Sequence, residues 1–525
     1  VRLMEDTPIA LLDLLVIAGY FAAVLAIGFW VARKVETGDD LFLAGRSLTW
    51  PLIGGSLFAS NISSTTLIGL AGVAYTSGIA VSNYEWMAGV VLVFMAIFYI
   101  PIYLKSRITT VPEFLELRFD RRSRLYFSAI SILLTIIVDT AGGIYAGAVV
   151  LRTFFPELVL WQTCLVLALV AGLYTAAGGL RAVVYTDVIQ TVVLIVGSCA
   201  LTAIAFAEFG WSWSAVRDSV PEGHLSLIRP LDDDSLPWLG TLIGVPILGF
   251  WYWATNQYIT QRVLGAASVR HAQWGANLGG ALKLLPLFIM VLPGAMAIDL
   301  FPDLENGDQV FPTLVVELLP VGLTGLVMAG LIAAIMSSID STLNSASTLV
   351  IHDFVRTPAR EMSPRHVGRL GRMTTLGFMV VAAVWAPNIA NFGGLWDYLQ
   401  QAFSILVPPV AAIFLLGVFW PRGRGGAAFT TLLAGHIVGV ALFVATRQGL
   451  WDAHFTVNVG IMTAFSGLVF AVIAAREDRP PEAVVDELTW PRNRARDGDL
   501  PLVKRPLAQG LVVLAVTAAM VVAFW

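Results

Sequence analysis

The 525 residues are 57% hydrophobic and only 13% charged, roughly half the charge content of a soluble domain, which excludes a water-soluble globule. The 32 Lys and Arg against 36 Asp and Glu leave a net charge of −4, a balance with no sign of nucleic-acid binding. The two cysteines, Cys164 and Cys199, sit inside apolar runs without CxxC spacing or a nearby His, so they read as lipid- or core-facing fillers.

Apolar segments long enough to cross about 30 Å of hydrocarbon predict about 14 spans. They fall near 9–33, 48–75, 79–104, 123–150, 157–177, 182–209 and 237–262, then near 272–298, 319–352, 371–387, 393–420, 426–446, 456–475 and 506–525. The first is too long for a signal-peptide core, follows Glu5 and Asp6 and lacks a cleavage site, so it is expected to be retained. The chain opens on Val1, which suggests a trimmed initiator.

The second span is the unusual one. LFASNISSTT at 57–66 interrupts it with Ser60, Asn61, Ser63, Ser64, Thr65 and Thr66, side chains that compete for backbone hydrogen bonds. Unwound backbone at that depth is tolerated where it lines a cavity, and its free carbonyls then serve as ligands for ions and solutes. A kink patched by neighbouring hydroxyls is the other reading. Span 237–262, with Pro246, Gly249 and Phe250-Trp251-Tyr252-Trp253, and span 393–420, with Pro408-Pro409, are irregular too. Breaks in spans two and seven are five spans apart, which suggests two inverted five-helix repeats, 48–209 and 237–420, within one transmembrane domain. Segment 9–33 is then an extra N-terminal helix and 426–525 carries extra C-terminal ones.

Orientation follows the basic residues of the connections. Odd-numbered connections hold Arg33, Lys34, Arg46, Lys105, Arg107, Arg262, Arg270 and most of the other cations, ending in the Arg-rich linker 476–505; even-numbered ones carry Asp232, Asp233, Asp234, Asp299 and Asp303. Both termini are therefore expected outside the cytoplasm, in a plasma or inner membrane.

Ionisable residues at bilayer depth are costly and mark function by default. Here they are Glu85, Asp139, Asp187, Lys283, Asp340 and Asp397, with Asp139 and Asp397 the two that could instead sit near span ends in water. Five acids against one Lys call for protons or bound cations. In the ninth span Ala334, Ser337, Ser338 and Ser341 recur at i, i+3, i+4 and i+7, one stripe on a helix. Hydroxyls stacked opposite broken-helix carbonyls suit a small hard cation such as sodium; close helix packing is the alternative use of small residues.

Across nearly the whole chain the residues resemble the sodium:solute symporter family, in its sodium/glucose and sodium/galactose branch. The matching pieces are GRSLTWPLIGGSLFASNIS at 45–63, YEW at 84–86, YTAAGGLRAVVYTDVIQ at 174–190, WYWATNQYITQR at 251–262, LKLLPLFIMVLPGAM at 282–296, SSIDSTLNSASTL at 337–349 and PPVAAIFLLGVFW at 408–420. The resemblance implies an all-α, leucine-transporter-like fold importing a sugar with sodium by alternating access. It implies a main sodium site on the carbonyls of Ala59, Ile62 and Ala334 with the hydroxyls of Ser337 and Ser338. A possible second sodium falls on Asp187 and Ser341, with Asp340 standing where many members have a hydroxyl or small residue. Asn61, Glu85, Tyr252, Lys283 and Gln400 are the implied sugar contacts, Tyr252 the inner gate, and Tyr84 and Trp396 outer-gate candidates. Thr66, Ala88 and Gly249 depart from the family's sugar pattern, which leaves a hexose, myo-inositol or another small polar solute open. The expected partners are one or two sodium ions, the solute and lipid, with no nucleic acid and no obligatory protein. A membrane enzyme, a sensor and a sodium channel are the rivals from other classes; the six scattered His residues form no catalytic set.

Overall fold

The computed structural model describes residues 10–32, 43–155, 157–175, 180–355, 364–392, 394–490 and 500–525. Where its residues are described, each predicted span falls on helix. In chain order the long helices are α1 (Leu11–Ala32), α2 (Trp50–Asn61), α3 (Ser64–Ser77), α4 (Ile79–Lys105), α5 (Arg121–Arg152), α6 (Leu160–Thr175), α7 (Leu180–Glu208) and α8 (Trp238–Phe250). There follow α9 (Gln257–Leu264), α10 (Val269–Leu300), α11 (Leu323–Val355), α12 (Pro364–Trp385), α13 (Leu395–Phe419), α14 (Gly425–Arg447), α15 (Phe455–Ala474) and α16 (Pro506–Ala523). Among the described residues 10 helices are long and apolar enough to cross a membrane, or 11 if the α2–α3 pair is counted as one span.

Local chemistry sets the helix ends. Pro51 opens α2 at a position where its missing N–H costs nothing. Gly78, at φ 95°, ends α3 in a conformation that only glycine adopts freely. The start of α11 is capped from far away in sequence: Asp13 of α1, 1% exposed, accepts the amides of Gly322 at 2.6 Å and Gly325 at 2.7 Å, a carboxylate against the positive end of the helix dipole.

The predicted interruption is real. α2 and α3 meet at 54°, with Ile62 at φ −75°, ψ 67° and Ser63 extended. Two other predicted irregularities differ. Pro246 lies inside a continuous α8, and the break in that span comes later, at Asn256, whose extended backbone (ψ 126°) separates a π turn at Trp251–Thr255 from α9. α13 runs unbroken through Pro408 and Pro409. Both prolines are buried, and α14 and α15 flank this helix, so neighbouring helices compensate for the lost amide donors.

α2 packs against α10 and α7, and α11 against α1 and α7. α8 and α10 both lie on α4. Outside this core, α13, α14 and α15 pack on one another. Cys164 is buried and Cys199 exposed on the apolar surface, as expected of fillers.

Candidate functional site

The break between α2 and α3 releases two carbonyls. In a continuous helix the Ser63 amide would donate to Ala59 and the Thr66 amide to Ile62. Here Ser63 N–H donates to the Asn61 carbonyl at 2.7 Å and Thr66 N–H to the Ser63 carbonyl at 3.1 Å. The Ala59 and Ile62 carbonyls, both expected sodium ligands, thus lose their helical donors at residues 2% and 0% exposed. α11 approaches both halves of the broken pair. It brings Ser338 to the wall of the same cavity as Ser63, while Ala334 is fully buried.

That cavity lies between α2–α3, α4, α5, α8, α11 and α13. Asn61, Glu85, Tyr252 and Gln400 line it. Lys283, 0% exposed, stands behind and donates to both Glu85 and the Asn61 carboxamide oxygen. Its ammonium also lies 5.1 Å from the Trp253 ring centroid and 5.7 Å from that of Phe58, a cation–π setting. Four of the five expected sugar contacts therefore line one cavity, and the fifth is bonded to two of them. Thr66, Ala88 and Gly249 line the cavity as well.

The cavity is closed differently at its two ends. At one, Tyr84 and Trp396 meet edge to face, centroids 5.1 Å apart. Both also line a separate cleft with Asp234, Asp397 and His454, so the pair is the partition between cleft and cavity. At the other end Tyr252 and Tyr258 hydroxyls are 2.5 Å apart. Beyond them lies a buried polar cluster. Asp187 accepts from Ser56 at 2.7 Å and Ser60 at 3.2 Å, both on α2, and from Ser337 of α11 at 2.8 Å. Arg262 of α9 pairs with the same carboxylate at 3.3 Å, both side chains at most 1% exposed, and reaches Ser56 at 2.8 Å and Ser341 at 3.5 Å. Further out, the backbones of Leu48 and Ala267 are bonded at 2.9 Å, and Arg46 donates to the Ile108 carbonyl at 3.3 Å.

The expected second ion group is thus brought together only in part. Asp187 and Ser341 share Arg262, whose guanidinium supplies a positive charge beside the carboxylate. Asp340 is buried one position along from Ser341 and projects from a different face of α11. Ser337 spends its proton on Asp187, which leaves its oxygen lone pairs for a cation.

Sequence reasoning missed three residues. Arg262 was counted among the connection cations because it follows an apolar run, yet it is 0% exposed. Tyr258, the partner of Tyr252, and Ser56, which bridges Asp187 and Arg262, gave no separate signal. Asp139, left between functional and solvated, lines the cavity.

A profile of the sodium:solute symporter family matches residues 41–435. Among named relatives, sodium/glucose cotransporter 4 of Danio rerio is 35% identical over 91% of this chain and 80% of its own length. Sodium/glucose cotransporter 1 of Oryctolagus cuniculus is 36% identical over 82% of this chain and 72% of its own. The sodium/mannose cotransporter SLC5A10 of Bos taurus is 35% identical over 92% and 89%. Among solved structures, a substrate-bound, outward-open Na+-coupled sialic acid symporter superposes with a TM-score of 0.77 at 23% identity, covering 90% of this chain and 99% of that one. Mhp1, a nucleobase-cation-symport-1 transporter, reaches 0.56 at 14% identity over 86% and 99%.

Proposed function

The chain belongs to the sodium:solute symporter family, and from this premise we propose that it imports a hexose together with sodium, by alternating access around the α2–α3 break. It is a transporter rather than an enzyme. The observation that carries the reading is the coincidence of two released carbonyls, Ala59 and Ile62, with the Ser338 hydroxyl on the wall of a cavity that also presents Asn61, Glu85, Tyr252 and Gln400. Sodium takes the carbonyls of Ala59, Ile62 and Ala334 with the hydroxyls of Ser337 and Ser338. Glu85 accepts from sugar hydroxyls, Asn61 and Gln400 donate and accept, and Tyr252 covers an apolar ring face. Lys283 orients Glu85 and Asn61 through its two bonds.

Coupling follows from the geometry. An ion held between the α2–α3 break and α11 fixes the backbone that presents Asn61, so each ligand raises the other's affinity. Tyr84 and Trp396 form the outer gate and Tyr252 the inner one. The Asp187–Arg262 cluster closes the cytoplasmic end, where the basic connections gather. Asp187 and Ser341 are the candidate ligands for a second sodium, which would have to share the carboxylate with Arg262; Asp340 belongs to this proposal only as their neighbour. Segments 48–209 and 237–420 are the two inverted repeats, and both termini face outside a plasma or inner membrane, as the distribution of Arg and Lys supports.

The relatives named for glucose and mannose support a hexose. The short side chains at Thr66, Ala88 and Gly249 keep myo-inositol as the second reading. Uptake of labelled hexoses and myo-inositol into proteoliposomes decides: a saturable, sodium-gradient-driven flux of one of them is expected, with none under lithium or choline. Sodium flux that needs no solute and does not saturate overturns it.

A further inference from the structure

The cavity wall carries two carboxylates, Glu85 and Asp139, and they are not equivalent. Glu85 is matched by Lys283, whose ammonium is fully committed to it and to Asn61. Asp139, on a π turn of α5 at Thr135–Thr140, has its Oδ2 closed off from solvent without a hydrogen-bond partner. Its surroundings offer dipoles but no charge. Asn256 lies beside it, Tyr252 and Tyr258 are bonded to each other, and the Tyr398 hydroxyl donates to the Ile137 carbonyl at 2.6 Å. Arg262 is held by Asp187. One turn along α5, on the same face, Gly143 also lines the cavity, and a Cβ there would meet only Ile339, at 3.4 Å. Asp139 and Gly143 therefore stand on the same stretch of the cavity wall. A desolvated carboxyl is stabilised either by a proton or by an arriving counter-charge.

We propose that Asp139 and the cavity wall at Gly143 form a second subsite of the solute cavity, which takes the ammonium group of an amino sugar. The inference rests on the hexose reading above and narrows it. The ammonium supplies the missing charge and up to three donors, while the ring keeps its contacts with Glu85, Tyr252 and Gln400.

Equilibrium binding of glucosamine, glucose and N-acetylglucosamine to the purified full chain in sodium tests this, at a pH that keeps the amine charged. Glucosamine should bind at least roughly tenfold tighter than glucose, the equivalent of about 1.4 kcal/mol, and N-acetylglucosamine, whose nitrogen is neutral, should not share the gain. Asp139→Asn should bring the glucosamine-to-glucose ratio close to one. Gly143→Val, which adds bulk to that wall and leaves the carboxyl intact, should do the same and stands in if the first variant does not fold. Equal affinities in the wild type, or a preference that survives both substitutions, overturn the subsite while leaving hexose transport standing. Binding of none of the three sugars overturns the hexose reading with it.

Discussion

Replacing Lys283 by Ala removes a cation that is fully buried and bonded to two cavity residues at once. Two costs separate. The first falls on the fold: Glu85, 3% exposed, keeps its charge without a partner, and breaking a buried pair in this way costs about 3–5 kcal/mol. The second falls on the solute: without Lys283 to orient them, the Glu85 carboxylate and Asn61 carboxamide no longer present fixed acceptors. Charge-assisted hydrogen bonds of this kind are worth about 1.5–3 kcal/mol each, so losing one weakens binding roughly tenfold to a hundredfold. Thermal unfolding in detergent reads the first cost, and sodium-driven uptake with sugar titration reads the second. The double variant Lys283→Met with Glu85→Gln, which removes both charges, should recover most of the lost thermal stability and none of the uptake. A single variant that melts and transports like the wild type would refute the reasoning, since the pair would then contribute to neither.

Ser338→Ala should raise the sodium concentration for half-maximal uptake several-fold and leave maximal uptake at saturating sodium largely intact; an unchanged sodium curve counts against the α11 ligands. Asp187→Asn removes the charge shared by Arg262 and any second ion. A lowered sodium-to-sugar charge ratio in electrogenic uptake is expected, whereas an unaltered ratio makes Asp187 structural. Arg262→Gln should loosen the end closed by the Asp187 cluster, seen as faster labelling of a cysteine placed near Ser60, and equal labelling rates contradict this closure. In the cleft beyond Tyr84 and Trp396, burial pushes His454 down to about 4, only partly offset by Asp233 and Asp234, and its ring accepts the Thr456 amide at the start of α15. Its folded value lies below the ordinary 6.5, so its contribution to stability is complete above 6.5 and declines as pH falls toward 4. The melting temperature should therefore drop between pH 7 and 5, and drop less in His454→Asn, whose amide oxygen keeps the cap; parallel pH curves would exclude this role.

The break in the second span was legible because Ser60, Asn61, Ser63 and Thr66 are too polar for a lipid-facing run and sit at a membrane's half-depth. The α11 stripe was legible because its period is helical. Other features were not. Proline is a weak guide inside packed membrane helices, so Pro246, Pro408 and Pro409 suggested interruptions that neighbouring helices absorb, while the actual break at Asn256 shows only a small polar residue. Arg262 sits where positive-inside counting assigns a solvated cation, and nothing along the chain reveals that Ser56, Asp187 and Ser341 converge on it from three other helices. Asp139 was visible as a charge, but that its Oδ2 has no hydrogen-bond partner is a property of the folded cavity alone.

The reach of Asp13 across to Gly322 and Gly325 gives the first helix a mechanical duty. Its carboxylate clasps the head of the very helix whose midpoint carries Ser337 and Ser338, so α11 cannot slide or tilt at that end without hauling α1 along or tearing two bonds from a site shielded from water. Whatever movement alternation demands of α11 is then best accommodated as a swing about this clasp, with the greatest travel far from it, on the flank where Arg262 stands.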